Sequence, residues 1–318
     1  MIYSRIIGSG SYLPERVMTN AELATLVDTS DEWIESRTGI RERHIARDDE
    51  TTCDMCEQAA SDALKAADID ANSIELIVLA TSTPDLIYPS TACLLQSRLG
   101  IDNGCAAFDV QAACSGFIYA FSIVDKFIKS GSVKRALVVG ADSNSKILDW
   151  TDRGTCVLFG DGAGAIVVEA ANEPGVYATR MHANGAYSHL LQVPSGVSKP
   201  TGDPFIRMSG NEVFKFAVNA MGDIVDDTLQ ECGLEKSDVN WLVPHQANQR
   251  IIKATAKKLG MPMEKVIVTV GEHGNTSGGS IPLALDTGIR DGRIKRGDNL
   301  FLEAVGSGFT WGSVVLKY

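Results

Sequence analysis

The feature that most constrains this chain is that it repeats itself. Ile69-Asp-Ala-Asn-Ser-Ile-Glu-Leu-Ile-Val78 matches Leu234-Glu-Lys-Ser-Asp-Val-Asn-Trp-Leu-Val243 position by position, at an offset of 165. Ser130-Gly-Ser-Val-Lys-Arg135 matches Asp291-Gly-Arg-Ile-Lys-Arg296 at an offset of 161, and each precedes an apolar run, Ala136–Val139 and Leu300–Leu302. Gly164-Ala-Ile-Val-Val-Glu169 matches Gly312-Ser-Val-Val-Leu-Lys317 at an offset of 148. Apolar runs resemble one another by chance, but three matches in one order, one of them pairing two Gly-x-[Val/Ile]-Lys-Arg turns, imply an internal duplication. The chain then folds as two similar α/β halves, residues 1–171 and 172–318. Its 318 residues suit two fused units better than one small core.

Within the first half, Ala106-Ala-Phe-Asp-Val110 reads as a strand. Phe117, Ile118, Phe121, Val124, Phe127 and Ile128 recur at helical spacing. Between them lies Gln111-Ala-Ala-Cys114-Ser-Gly-Phe117, so Cys114 sits where a strand turns into a helix. Small neighbours leave room for close approach. A thiolate at a helix N-terminus is expected to have a lowered pKa. The plain alternative is a buried cysteine acting as a small hydrophobe. Elsewhere, Ile6-Ile-Gly8-Ser-Gly10 reads as a strand entering a glycine turn, and Gly160-Asp-Gly-Ala-Gly164 as a tight turn before the strand Ala165–Val168. No lysine follows as a phosphate loop requires. Ser30 or Asp31 caps a short helix on which Trp33 and Arg37, four apart, share a face. Such a pair stacks on a planar ligand or simply packs.

A net charge of −11 argues against generic nucleic-acid binding. No apolar run approaches a membrane span, and the first residues do not read as a signal peptide. Seven scattered cysteines fit reduced thiols in the cytoplasm. Cys53-x-x-Cys56 lacks the second pair or histidines that a metal site needs, so no metal is expected.

The duplication points to chemistry. An offset of 161 carries Cys114 to Asn275, in the glycine-rich helix start His273-Gly-Asn-Thr-Ser-Gly-Gly279. An offset of 165 carries Ala80 to His245, at a strand end in Val243-Pro-His-Gln-Ala-Asn248. Alone, His245 reads as a satisfied core histidine and Asn275 as a helix cap. Together at repeat-related sites, Cys114, His245 and Asn275 form a thiol nucleophile with two hydrogen-bond donors.

At these residues the sequence resembles the thiolase-fold condensing enzymes, and most closely the β-ketoacyl-acyl-carrier-protein synthase III family. The resemblance runs essentially end to end. It rests on Ala112-Ala-Cys-Ser-Gly-Phe117, Val243–Asn248, His273-Gly-Asn-Thr-Ser277, Gly308-Phe-Thr-Trp-Gly312, Thr29-Ser-Asp-Glu-Trp33 and Arg37-Thr-Gly-Ile-Arg-Glu-Arg43. It implies an αβαβα fold in which mixed five-stranded sheets sandwich helices. The implied reaction is a decarboxylative Claisen condensation. Cys114 takes an acyl group, acetyl by expectation, from acyl-coenzyme A. Malonyl-acyl-carrier protein then loses carbon dioxide, and the carbanion attacks the acyl-enzyme.

Further roles follow from the resemblance. His245 and Asn275 serve decarboxylation. The N–H groups of Cys114 and Ser307 form an oxyanion hole, within Val305-Gly-Ser307-Gly-Phe309, where Val305 replaces an aromatic residue and Ser307 a glycine. Trp33, Arg37, Arg153, Gly210 and Asn248 bind coenzyme A, with the adenine between Trp33 and Arg153. Tyr88, Phe159 and Val305 shape the acyl pocket, Tyr88 reaching across a homodimer interface. Arg250, Lys253, Lys257 and Lys258 form a basic face for acidic carrier protein, which would otherwise read as a solvated surface. The thioester is a substrate and no cofactor is implied. Alternatives are a related condensing enzyme of a specialised pathway using a longer primer, a cysteine hydrolase with the same Cys…His…Asn order, and a subunit that only binds a partner.

Overall fold

The runs Leu76–Ala80 and Arg135–Ser143 are almost wholly buried, so each needs packed layers on both faces. The computed structural model, which describes residues 2–318, supplies those layers. The first half contains β1 (Tyr3–Tyr12), β2 (Arg16–Thr19), β3 (Glu42–Ile45), β4 (Leu76–Ala80), β5 (Ala106–Val110), β6 (Arg135–Ser143) and β7 (Asp161–Ala171). Its helices are α1 (Asn20–Leu23), α2 (Asp31–Thr38), α3 (Thr52–Ala67), α4 (Thr91–Arg98) and α5 (Gly116–Lys129). The second half contains β8 (Val176–Ala183), β9 (Leu191–Gln192), β10 (Arg207–Met208), β11 (Trp241–Pro244), β12 (Asn299–Gly306) and β13 (Thr310–Lys317). Its helices are α6 (Gly210–Cys232), α7 (Gln249–Leu259), α8 (Val270–His273) and α9 (Ser280–Arg290).

The duplication is visible in the topology. The first sheet runs β1-β7-β6-β4-β5 and the second β8-β13-β12-β11, the same order of equivalent strands. In each, the equivalent parallel contact (β4 with β6, β11 with β12) sits beside antiparallel ones, and the first sheet adds a second parallel contact, β4 with β5. The second sheet has four strands, one fewer than the resemblance implies. Where a fifth would lie, Val266 makes a single parallel bridge to Leu242.

Side-chain alternation assigns the layers. Leu76, Val78 and Ala80 point with α5 and α9 into a core shared with Val243, Leu300, Leu302 and Val314 of the second sheet. Ile77 and Leu79 point the other way, onto α3 and α4. Leu242, Phe301 and Val315 cover the far face of the second sheet with α6 and α7. The result is five layers, αβαβα. Each large apolar side chain fully buried in the central layer contributes about 1.5–3 kcal/mol, and α5 buries Phe117, Ile118, Phe121, Val124 and Ile128 there.

Two glycine stretches differ from expectation. β1 continues through Gly8 and Gly10 after a bulge between Ile6 and Gly8, and a Cβ at either glycine would lie within 2.7 Å of α3 backbone or side chain. β7 likewise runs through Gly164, where a Cβ would lie 2.7 Å from Pro282 on α9. These glycines let helices close onto strands; they do not turn the chain. Cys53 and Cys56 face the core from α3, which begins with a Thr51–Asp54 capping box. Burial pushes the Cys53 thiol up to about 12 and raises Cys56 too, so both behave as small hydrophobes.

Candidate active site

Cys114 stands in a short 3-10 turn, Ala113–Ser115, that runs directly into α5. Ala113 adopts φ 46°, left-handed backbone that an L-residue enters reluctantly. The second half builds the same turn at Ser277–Gly279 ahead of α9, with Ser277 at φ 50°. The two turns therefore align at an offset of 164, and the counterpart of Cys114 is Gly278. A constant offset of 161 pointed to Asn275 because the intervening segments differ in length.

Asn275 reaches the site by another route. Its N–H donates to Leu158 O at 2.9 Å and its carbonyl accepts from Gly160 N at 3.0 Å, a parallel bridge with Phe159. Its side-chain Oδ1 accepts from Ser277 N at 2.9 Å, which leaves the amide N–H groups free to donate. His245 continues from β11, donating its backbone N–H to Glu303 O at 2.8 Å. Gln246 locks that corner: Nε2 donates to Pro244 O and Ile267 O, while Oε1 accepts from Thr269 N and Val270 N.

Burial sets the protonation states. His245 is 2% exposed, and desolvation lowers its pKa to about 3, so the imidazole is neutral. Its Nδ1 has no hydrogen-bond partner among the described residues. Cys114 departs from expectation. Burial pushes its thiol up to about 12, and the Ser277 side chain only partly offsets this. The cost of burying the thiolate outweighs its place at the start of α5. The nearby buried Asp142 opposes ionisation further. Asp142 gathers donors from Thr81, Ser82, Thr83 and Gly278, and so ties the loop after β4 to the turn that follows Asn275.

Cys114 opens onto a cavity of about 290 Å³ whose walls include Ser82, Ile147, Phe159, Ile206 and Ser307. Phe159 and Ser307 thus share one cavity with Cys114. The late loop is pressed onto the cysteine: a Cβ on Gly306 would lie 2.9 Å from Cys114 N. Ser115 Oγ and Thr310 Oγ1, 2.7 Å apart, tie the two segments together. His245 and Asn275 are not among the cavity walls. Val305 is absent from them too. It packs with Ala217, Met221, Ile251 and Phe309 under α6 and α7, because β12 turns alternate residues to opposite faces.

The expected coenzyme residues gather in part. Trp33 lies between two guanidinium groups, Arg37 at 4.7 Å and Arg153 at 4.9 Å from its ring centre. Arg153 rests directly on the indole and donates to Asp28 O at 2.7 Å, so the slot expected for adenine is closed. Asn248 caps α7 through Ile251 N, and Gly210 begins α6. Gly39 ends α2 against Gln249, which holds the Trp33 helix to the start of α7. On α7, Arg250, Lys253, Lys257 and Lys258 are all exposed. Lys258 turns aside, its stem crossing α6 at Gly222. Tyr88 is 84% exposed, beside the exposed Leu86 and Ile87.

Sequence reading missed Asp142, Gln246 and Ser277. Gln246 and Ser277 stood inside the motifs Val243–Asn248 and His273–Ser277 with no role of their own given to them, and a polar core lock such as Asp142 has no local pattern.

Family models for 3-oxoacyl-[acyl-carrier-protein] synthase III match residues 108–185, and for its C-terminal region residues 229–318. The chain is 60% identical to beta-ketoacyl-[acyl-carrier-protein] synthase III of Methylococcus capsulatus, over 99% of both chains. It is 58% identical to that of Thiobacillus denitrificans, over 100% of both. The crystal structure of 3-oxoacyl-[acyl-carrier-protein] synthase III from Aquifex aeolicus superposes with a TM-score of 0.94 at 49% identity, covering 99% of this chain and 100% of that one. From motif to fold to full-length relatives, the findings agree, and the chain belongs to the β-ketoacyl-acyl-carrier-protein synthase III family of condensing acyltransferases.

Proposed function

We propose that the protein initiates type II fatty-acid synthesis by a ping-pong condensation. Cys114 Sγ attacks the thioester carbonyl of an acyl-coenzyme A, coenzyme A leaves as the thiol, and an acyl-cysteine remains. Malonyl-acyl-carrier protein then binds and loses carbon dioxide. The electron pair released moves onto the malonyl thioester, where the neutral His245 and the free amide of Asn275 donate to the developing enolate oxygen. The enolate carbon attacks the acyl-cysteine and expels the thiolate, giving 3-oxoacyl-acyl-carrier protein. The Cys114 and Ser307 N–H groups receive the tetrahedral oxyanion. No metal or cofactor takes part in this scheme.

The observation that carries the reading is Cys114 itself, at the start of α5 and opening onto a walled cavity. The Arg37–Trp33–Arg153 stack supports coenzyme A as the first donor, since guanidinium suits both stacking and phosphate. The basic face of α7 supports an acidic carrier protein. The exposed apolar Leu86–Tyr88 loop supports a homodimer in which Tyr88 closes the partner's pocket, and the scattered reduced cysteines support a cytoplasmic setting. Acetyl is the first primer to test. A second reading, a longer primer, draws on the apolar side chains Ile147, Phe159 and Ile206 in the wall of the same cavity.

Intact-protein mass after mixing with a series of acyl-coenzyme A primers tests both. An acetyl adduct on Cys114, discharged by malonyl-acyl-carrier protein and stable without it, is expected. Adducts only with longer primers would select the second reading. No adduct with any primer would end both.

A further inference from the structure

The stretch Arg37–Arg43 holds one residue that neither the cavity nor the coenzyme stack uses. Arg43, on β3, is the largest of the fully buried side chains. Its hydrogen bonds go only to neutral oxygens: Nη1 to Met18 O at 3.2 Å and Asn20 Oδ1 at 2.9 Å, and Nη2 to Val157 O at 2.8 Å. Nε has no partner among the described residues. A cation buried among carbonyls is costly, so its surroundings matter. Val157 opens the segment that holds Asn275, through Leu158 O and Gly160 N. The arginine stem is wedged beside that junction: a Cβ on either Gly160 or Gly274 would lie 3.0 Å from Arg43 Cβ. Asn20 Nδ2 in turn donates to Asp31 Oδ1 and Ile40 O, bracing the far side of the guanidinium.

We propose that Arg43 is a positioning residue for Asn275: its buried guanidinium fixes residues 157–160, and through their ladder the direction in which the Asn275 amide donates. This rests on the reading that Asn275 serves decarboxylation. The ladder carries Asn275 alone of the three site residues, and the cavity wall only through Phe159, so loss of Arg43 acts most on the second half-reaction and least on transfer of a short acyl group.

The test separates the half-reactions in Arg43→Lys and Arg43→Met proteins. Acyl transfer to Cys114 should stay within about twofold of the parent, while malonyl-acyl-carrier-protein decarboxylation falls about 10-fold in Arg43→Lys and about 100-fold in Arg43→Met, as expected for a displaced donor. Arg43→Lys combined with Asn275→Ala should be no slower than Asn275→Ala alone, because the arginine acts only through the asparagine. Parallel loss of both half-reactions, additive loss in the double variant, or failure of both single variants to fold would overturn the proposal. The Asn275→Ala control is separate: decarboxylation unchanged there would remove the reading of Asn275 itself.

Discussion

Cys114 and His245 show that burial, rather than residue type, sets the chemistry of single side chains here. With the thiol held near 12, the reactive thiolate is scarce at neutral pH. Alkylation of Cys114 by iodoacetamide in the free protein should therefore climb about tenfold per unit from pH 7 to 9. A plateau near pH 7 would mean that the helix start, not desolvation, governs the thiol. His245 gives a stability prediction. Its folded pKa of about 3 lies below its ordinary 6.5, so the unfolded chain binds a proton that the folded protein refuses. Stability is intact above pH 6.5 and drains away as pH falls toward 3, by at most roughly 1.4 kcal/mol per unit. The melting temperature should fall between pH 7 and 5, less steeply in His245→Gln. Equal slopes in the two proteins would place the acid sensitivity elsewhere.

At the scale of elements, the site depends on how closely segments approach. Gly306→Ala would drive a methyl group to 2.8–2.9 Å from Ala112 O, Cys114 N and Ser115 N. Acyl transfer to Cys114 should drop about 100-fold with the far-ultraviolet dichroism unchanged; full activity would show that the late loop has slack. Arg250→Glu on α7 should raise KM for malonyl-acyl-carrier protein about tenfold, with the effect shrinking as salt is added. An unmoved KM would leave that face as ordinary solvated surface. These approaches also mark what the sequence could and could not reveal. Helical periodicity disclosed α5, because burial imposes it, and a short apolar run disclosed β5. The glycines of β1 and β7 misled, since close packing and turning both call for a missing Cβ. Asn275 was found through an offset that the aligned turns replace, and Val305 was expected in a cavity it does not line. Pairings such as Asn275 with Phe159 join residues more than a hundred positions apart and leave no local pattern.

As a whole, the molecule is a duplicated fold that no longer divides. α5 from one half and α9 from the other fill the same central layer and share one core. Residues 1–171 expressed alone would expose that layer and should not yield a folded monomer. The complete chain should melt in one calorimetric transition, and two resolved transitions would show that the halves retain independent stability. The closed stack of Arg153 on Trp33 has a consequence for traffic through such a molecule. On the proposed reading that an adenine enters between these two side chains, it must first part Arg153 from the indole, and its measured affinity is scaled by the fraction of molecules in which that contact is open. A guest arriving on a protein-borne pantetheine arm, with no adenine, meets no such toll. On that same reading, one arginine resting on one tryptophan tilts the balance toward the visitor without a nucleotide.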